Sequence, residues 1–165
     1  MPQTVQSLVE DWERLVPNTD TAALRTGQLL LVSGRALEKT LDDAATAAGF
    51  ASRGDYEVLA LMARREPECL SPVAVAELLG VSPSGMTGKL DRLERDQLLE
   101  RVRDQVDRRS VKLAITAKGK ELVSLGFQAA MGVYTALLSD SEAISQLADT
   151  LQEVYENLQL AGPRR

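Results

Sequence analysis

Residues 104–119 read DQVDRRSVKLAITAKG, a polar stretch carrying Asp107, Arg108 and Arg109 that leads into an alternating apolar run. A guanidinium is a permanent planar cation with five donors, suited to phosphate and to the negative potential of a narrow nucleic-acid groove. Asp107 beside the two arginines can hold such a loop by a carboxylate–guanidinium pair, leaving Arg108 or Arg109 free to probe. The plain alternative is a solvated turn whose ion pair contributes little. Upstream, VSPSGMTGKLDRLERDQL places Met86, Leu90 and Leu93 at i, i+4, i+7 and turns Ser82, Ser84, Thr87 and Lys89 away from that stripe. Hydroxyls and an ammonium at the start of a helix are groups that can bond base edges and phosphates. Arg92, Arg101 and Arg103 add cations between the helix and the loop, and all of these residues are expected to contact DNA. Gly85 and Gly88 each lower helix stability by about 1 kcal/mol relative to Ala, which either allows close approach to a sugar–phosphate wall or reflects tolerance.

Other chemistries lack their residues. The chain has no histidine and one cysteine, so the commonest general base, metal ligand and pH switch are missing together. A His/Cys zinc site cannot be assembled within one chain, and no metal or cofactor is expected. There is no Gly-rich phosphate loop and no nucleophile elbow, so an enzyme is not expected. Asp91, Glu94 and Asp96 read as the solvent face of a helix rather than a catalytic carboxylate pair. Cys69 lies in the loop EPECLSP and is expected to be inert. A lone cysteine suits a reducing compartment, and no apolar run reaches the ~18–20 residues of a membrane span, so a cytoplasmic protein is expected. The opening MPQTVQSLVEDWERL has neither a basic flank nor an unbroken apolar core, so it does not read as a signal peptide.

Charge is unevenly spread. Ser71–Lys118 holds nine cations against seven acids, so the rest of this −5 chain carries −7. A mildly basic middle between acidic ends fits an anion-binding module on an acidic scaffold.

The elements that must position these groups follow from periodicity. Val5, Leu8, Val9, Trp12, Leu15 and Val16 predict a first helix over Thr4–Val16, broken at Pro17. Trp12 reads as a core or dimer-interface anchor. A second helix from Thr21 to about Ala48 is apolar on more than one side and needs several partners. DYEVLALMARRE forms a third, opened by Ser52 or Asp55, with Tyr56, Leu59, Leu61 and Met62 inward. SPVAVAELLG and the helix after Ser82 are both capped by Ser with Pro at the first helical position. In the former, Val73, Ala76, Leu78 and Leu79 are expected to face the core. The short turn Leu79–Ser82 makes the pair a helix-turn-helix. The period then changes to two: Leu99–Arg103 and Val111–Ile115 predict a hairpin around Asp104–Ser110. Thr116 caps a long helix and Ser139-Asp140 a last one, before a frayed tail. The class is mostly α with a small β-hairpin wing.

SPVAVAELLGVSPSGMTGKLDRLERDQLLERVRDQVDRRSVKLAITAKGKEL resembles the winged helix-turn-helix of the MarR family of bacterial transcriptional regulators. The family signature D-x-R-x-x-x-x-x-x-T-x-x-G falls on Asp107, Arg109, Thr116 and Gly119, within a match covering about Gly54–Leu122. Two departures are Gln97, where family members commonly have Gly, and Ile115, where Leu is usual. Gln97 must tolerate an unfavourable backbone, or the turn differs. The resemblance implies a homodimeric repressor reading a pseudo-palindromic double-stranded operator and released by a small anionic or phenolic effector. It divides the chain into dimerisation helices at 1–50 and 119–165 and a DNA-binding lobe at 51–118. Arg14, Arg25, Arg35 and Arg53 lie on or near helices that can face a ligand crevice, and none is singled out as an effector residue. The rival reading is a helical protein-interaction module that keeps the winged-helix shape without reading DNA.

Overall fold

The computed structural model describes residues 4–103, 111–137 and 141–160. Seven helices and one hairpin follow in the order α1 (Val5–Leu15), α2 (Thr21–Ala47), α3 (Arg53–Arg65), α4 (Pro72–Leu79), α5 (Pro83–Arg95), β1 (Leu99–Arg103), β2 (Val111–Ile115), α6 (Ala117–Leu137) and α7 (Ser141–Leu160). The mostly helical class with a two-stranded wing is therefore observed. The serine caps of α4 and α5 are where the sequence puts them. Thr4, Asp20, Ser52, Ser71 and Ser82 each accept from the third backbone N–H beyond them, which satisfies donors that a helix start leaves orphaned. Ser52, rather than Asp55, opens α3. The Ser139-Asp140 cap and the tail lie outside the described residues.

One core joins the lobe. Val58, Leu59 and Met62 of α3, Val75 and Ala76 of α4, and Met86, Leu90 and Leu93 of α5 close on Leu99, Leu113 and Ile115 of the hairpin. The i, i+4, i+7 stripe of α5 is fully buried, as its spacing predicts. The core face of α4 differs from expectation. Val75 and Ala76 are buried, whereas Val73 and Leu78 are 59% and 50% exposed. An eight-residue helix that is apolar nearly all round has no unique stripe, so packing, not periodicity, chooses its face.

The hairpin is antiparallel, with Leu99 opposite Ile115 and Arg103 opposite Val111. The middle of β2 is stitched to the loop before α4, where the Leu113 N–H donates to the Leu70 carbonyl at 2.8 Å. Long helices flank the lobe: α2 packs on α6 and α1, and α6 on α3. Gly126 lets α6 approach closely, because a Cβ there would meet the rings of Tyr56 and Phe50 at 2.7 and 2.8 Å. Those rings pack edge to face at 5.4 Å. Trp12 stays 47% exposed, so it is not an anchor of the chain's own core. Four successive residues of α2, Leu29–Val32, are likewise exposed, together with Phe127, Met131 and Tyr134 of α6 and Leu151 and Tyr155 of α7. Among the described residues no single helix is long and apolar enough to cross a membrane.

Candidate nucleic-acid interface

The corner from α5 into β1 is held by the start of α6. Gln97 adopts φ +60°, the left-handed region, so the departure from Gly is accommodated by an unfavourable backbone rather than by a different turn. The Thr116 hydroxyl donates to the Gln97 carbonyl at 2.8 Å and accepts from the Gly119 N–H at 3.0 Å. Its own N–H donates to the Leu98 carbonyl at 3.1 Å. Gly119 is needed because a Cβ there would lie 2.1 Å from the Leu98 carbonyl oxygen. Lys118 completes the clasp, its Nζ donating to the Asp96 carbonyl at the C-terminal end of α5 at 2.8 Å. The T-x-x-G half of the signature is thus a junction between the hairpin corner and a long flanking helix.

Three sides of α5 do different work. The row Ser84, Thr87 and Asp91, spaced i, i+3, i+7, is exposed away from the core. Ser82 is first of all the cap, its Oγ accepting from the Gly85 N–H at 3.2 Å and sharing a bond with the Ser84 hydroxyl. Thr87 donates to the Pro83 carbonyl within its own helix at 3.1 Å. Gly88 meets nothing within 4 Å of a built Cβ, so no protein contact explains it.

The flank towards α3 carries Lys89 and Arg92. Lys89 is half-buried rather than turned outward: its Nζ lies 2.4 Å from where a Cβ on Gly54 would stand. Arg92 grips Asp55 through both nitrogens of one fork edge, Nε donating to Oδ2 at 2.8 Å and Nη2 to Oδ1 at 2.7 Å. Asp55 is buried, while 36% of the Arg92 side chain remains open. Hydrogen bonding to Asp55 holds the Arg92 guanidinium above its ordinary pKa, against the opposing effect of burial. This charge-assisted bidentate pair fixes the rotation of α5 against α3. Sequence reading took Arg92 for a DNA contact and missed Asp55 as its partner. The two stand 37 positions apart with no local pattern joining them.

On the opposite flank, Arg101 of β1 is also committed. Its Nη2 donates to Asp91 at 2.7 Å and its Nη1 to Glu94. Arg103, at the far end of β1, is exposed. Asp107, Arg108 and Arg109 lie outside the described residues, in the segment joining the paired positions Arg103 and Val111. The described residues thus bring Ser82, Ser84 and Thr87 together at one end of α5, while Arg92 and Arg101 are paired with carboxylates and Lys89 is half-buried.

Between α2, the start of α3 and α5 lies an open crevice of about 410 Å³ lined by Asp42, Thr46, Ser52, Arg53, Glu57 and Lys89. Arg53 spans it, 3.4 Å from Asp42 and 3.2 Å from Glu57. Among the described residues, no group of three or more His, Cys, Asp or Glu side chains could hold a metal ion.

The stretch from the α3 cap to the residue before β2, 52–110, matches the MarR family model. Over that stretch the chain is similar to the MarR family. The chain is 28% identical over 121 residues to the HTH-type transcriptional regulator PecS of Dickeya dadantii, covering 73% of this chain and 72% of that one. It is 36% identical over 73 residues to the HTH-type transcriptional repressor MdtR of Bacillus subtilis, covering 42% of this chain and 47% of that one. Among solved structures, CouR of Rhodococcus jostii bound to p-coumaroyl-CoA superposes with a TM-score of 0.62 at 27% identity, over 78% of this chain and 90% of that one. The winged-helix reading from sequence and the architecture described above therefore agree.

Proposed function

We propose that this chain is a sequence-specific, DNA-binding transcriptional regulator that acts as a homodimer on a pseudo-palindromic duplex. The observation that carries the reading is the exposed row of hydroxyls at the capped start of α5, beside a hairpin whose first strand ends at the exposed Arg103. In this reading Ser84 and Thr87 meet base edges or phosphates in the major groove, and Ser82 sets the helix start. Arg103, Arg108 and Arg109 approach the neighbouring minor groove, with Asp107 bracing them. Arg92 orients the helix through Asp55, and Lys89 stands at the crevice wall.

Residues 1–50 and 119–165 form the dimerisation part and 51–118 the reading lobe. The exposed apolar residues of α1, α2, α6 and α7 support this division, because a patch of that extent marks an association surface. Two reading helices then sit about one DNA turn, ~34 Å, apart. Repression is the mode we assign, as in the relative named MdtR. A small anionic or phenolic effector entering the crevice beside Lys89 would release the DNA. A likeness to CouR bound to p-coumaroyl-CoA supports a small-molecule effector. Work on DNA sets the protein in the cytoplasm.

The test is an Arg108→Ala/Arg109→Ala double variant measured by gel-shift on DNA flanking the protein's own gene, with and without small aromatic acids. The variant stays folded and dimeric and binds at least tenfold more weakly, since a charge-assisted bond contributes about 1.5 kcal/mol or more. Unchanged affinity would favour a winged-helix interaction module instead.

A further inference from the structure

Resting on the DNA-binding reading, we propose that Arg101 serves the duplex without touching it: it screens two carboxylates, Asp91 and Glu94, on the groove-facing side of α5. Asp91 continues the row of Ser84 and Thr87, and Glu94 lies three residues on, next to the wing. Left uncompensated, both would stand beside the phosphate backbone as like charges, and opposing charges at an interface cost affinity. Arg101 is placed to prevent this by strand alternation. It follows Leu99 by two positions, so both side chains leave β1 on the same face. Leu99 enters the core against α5, and Arg101 arrives one step further out, over the helix's flank.

One guanidinium then serves two acceptors, Nη2 to Asp91 at 2.7 Å and Nη1 to Glu94. About a third of the Arg101 side chain stays open, against 50% for Asp91 and 38% for Glu94. The fork is therefore spent on protein rather than held out to a phosphate. Each such bond at a surface adds little to folding stability. Its consequence is electrostatic: on a chain of net charge −5, one guanidinium offsets half of the negative charge that the two carboxylates bring to the reading face. The sequence-based assignment of Arg101 to DNA contact is replaced by action through α5.

The experiment compares full-length wild type, Arg101→Ala, and the triple variant Arg101→Ala/Asp91→Asn/Glu94→Gln on one duplex. That duplex is selected by the wild type from a random pool, and binding is measured by fluorescence anisotropy across a salt series. Arg101→Ala weakens binding tenfold or more, and the triple variant returns to within threefold of wild type with the same slope of log affinity on log salt. Two results overturn the inference. One is a triple variant as weak as Arg101→Ala with its slope reduced by about 1.8, the mark of two lost phosphate contacts per dimer. The other is an Arg101→Ala variant that binds like wild type. A wild type that retains no duplex at low salt overturns the DNA-binding reading itself, a distinct outcome.

Discussion

Two helical glycines set up opposite outcomes for one substitution. At Gly119 an added methyl would lie 2.1 Å from the Leu98 carbonyl oxygen, 2.8 Å from Ile115 Cγ1 and 3.1 Å from the Leu98 carbonyl carbon. The nearest obstacle is backbone at the α5–β1 corner, so it cannot swing aside as a side-chain end would. Ordinary contact requires α6 to retreat by about 1 Å, given carbon–oxygen separations of ~3.3 Å in the closest favourable contacts. That retreat lengthens the bonds Thr116 makes to Gln97 and Leu98. Overpacking of this kind costs about 1–3 kcal/mol, and a stretched hydrogen bond adds about 1 kcal/mol. Replacing a helical glycine by alanine returns about 1 kcal/mol. Gly119→Ala is therefore expected to lose about 1–3 kcal/mol net. At Gly88, within α5, nothing lies within 4 Å of the same methyl, so Gly88→Ala should gain up to about 1 kcal/mol. Urea midpoints at one fixed protein concentration measure both. A Gly119→Ala protein as stable as wild type, or one that moves in the same direction as Gly88→Ala, would show that the corner is not closed by this contact.

Cutting the Asp55–Arg92 pair from either side should give unequal losses. Arg92→Ala leaves a buried carboxylate without its partner and should cost about 3–5 kcal/mol, whereas Asp55→Ala leaves an arginine that can turn to water and should cost less, about 2 kcal/mol; equal losses by urea unfolding would contradict this. Gln97→Gly relieves a left-handed backbone worth about 1–2 kcal/mol and adds about 0.4–1 kcal/mol of unfolded-chain entropy, for a net gain of about 0.5–1 kcal/mol in the same assay. Burial raises the Tyr56 phenol above its ordinary pKa, with Arg64 partly opposing. The folded state thus keeps this proton after the unfolded chain has lost it, and stability falls as pH climbs above ~10. Tyr56→Phe should flatten the decline between pH ~9 and ~11, seen in thermal melts of both proteins.

Local signals carried most of the architecture. Each Ser-Pro start, the i, i+4, i+7 stripe of Met86, Leu90 and Leu93, and the two-residue alternation of Val111–Ile115 act over a few positions, so they can be read from the chain directly. What escaped was set by tertiary packing. The face of α4 was misassigned at Val73 and Leu78, because a short apolar helix offers no contrast between its sides. The partners of Arg92 and Arg101 were missed for another reason. A guanidinium looks alike in sequence whether it meets a phosphate or a carboxylate 37 or 10 residues away. Gln97 was legible as a tension with the family pattern, and only the backbone angle decided how that tension is resolved.

The threonine–glycine clasp makes α6 a lever without play. Its 21 residues extend about 31 Å, so a swing of about 5° pivoting at Leu137 carries Thr116 by about 2.7 Å. The hairpin corner, fastened to that threonine, has to travel with it. A modest tilt at the remote end of one helix is thus delivered to the hairpin as a step nearly as long as a hydrogen bond.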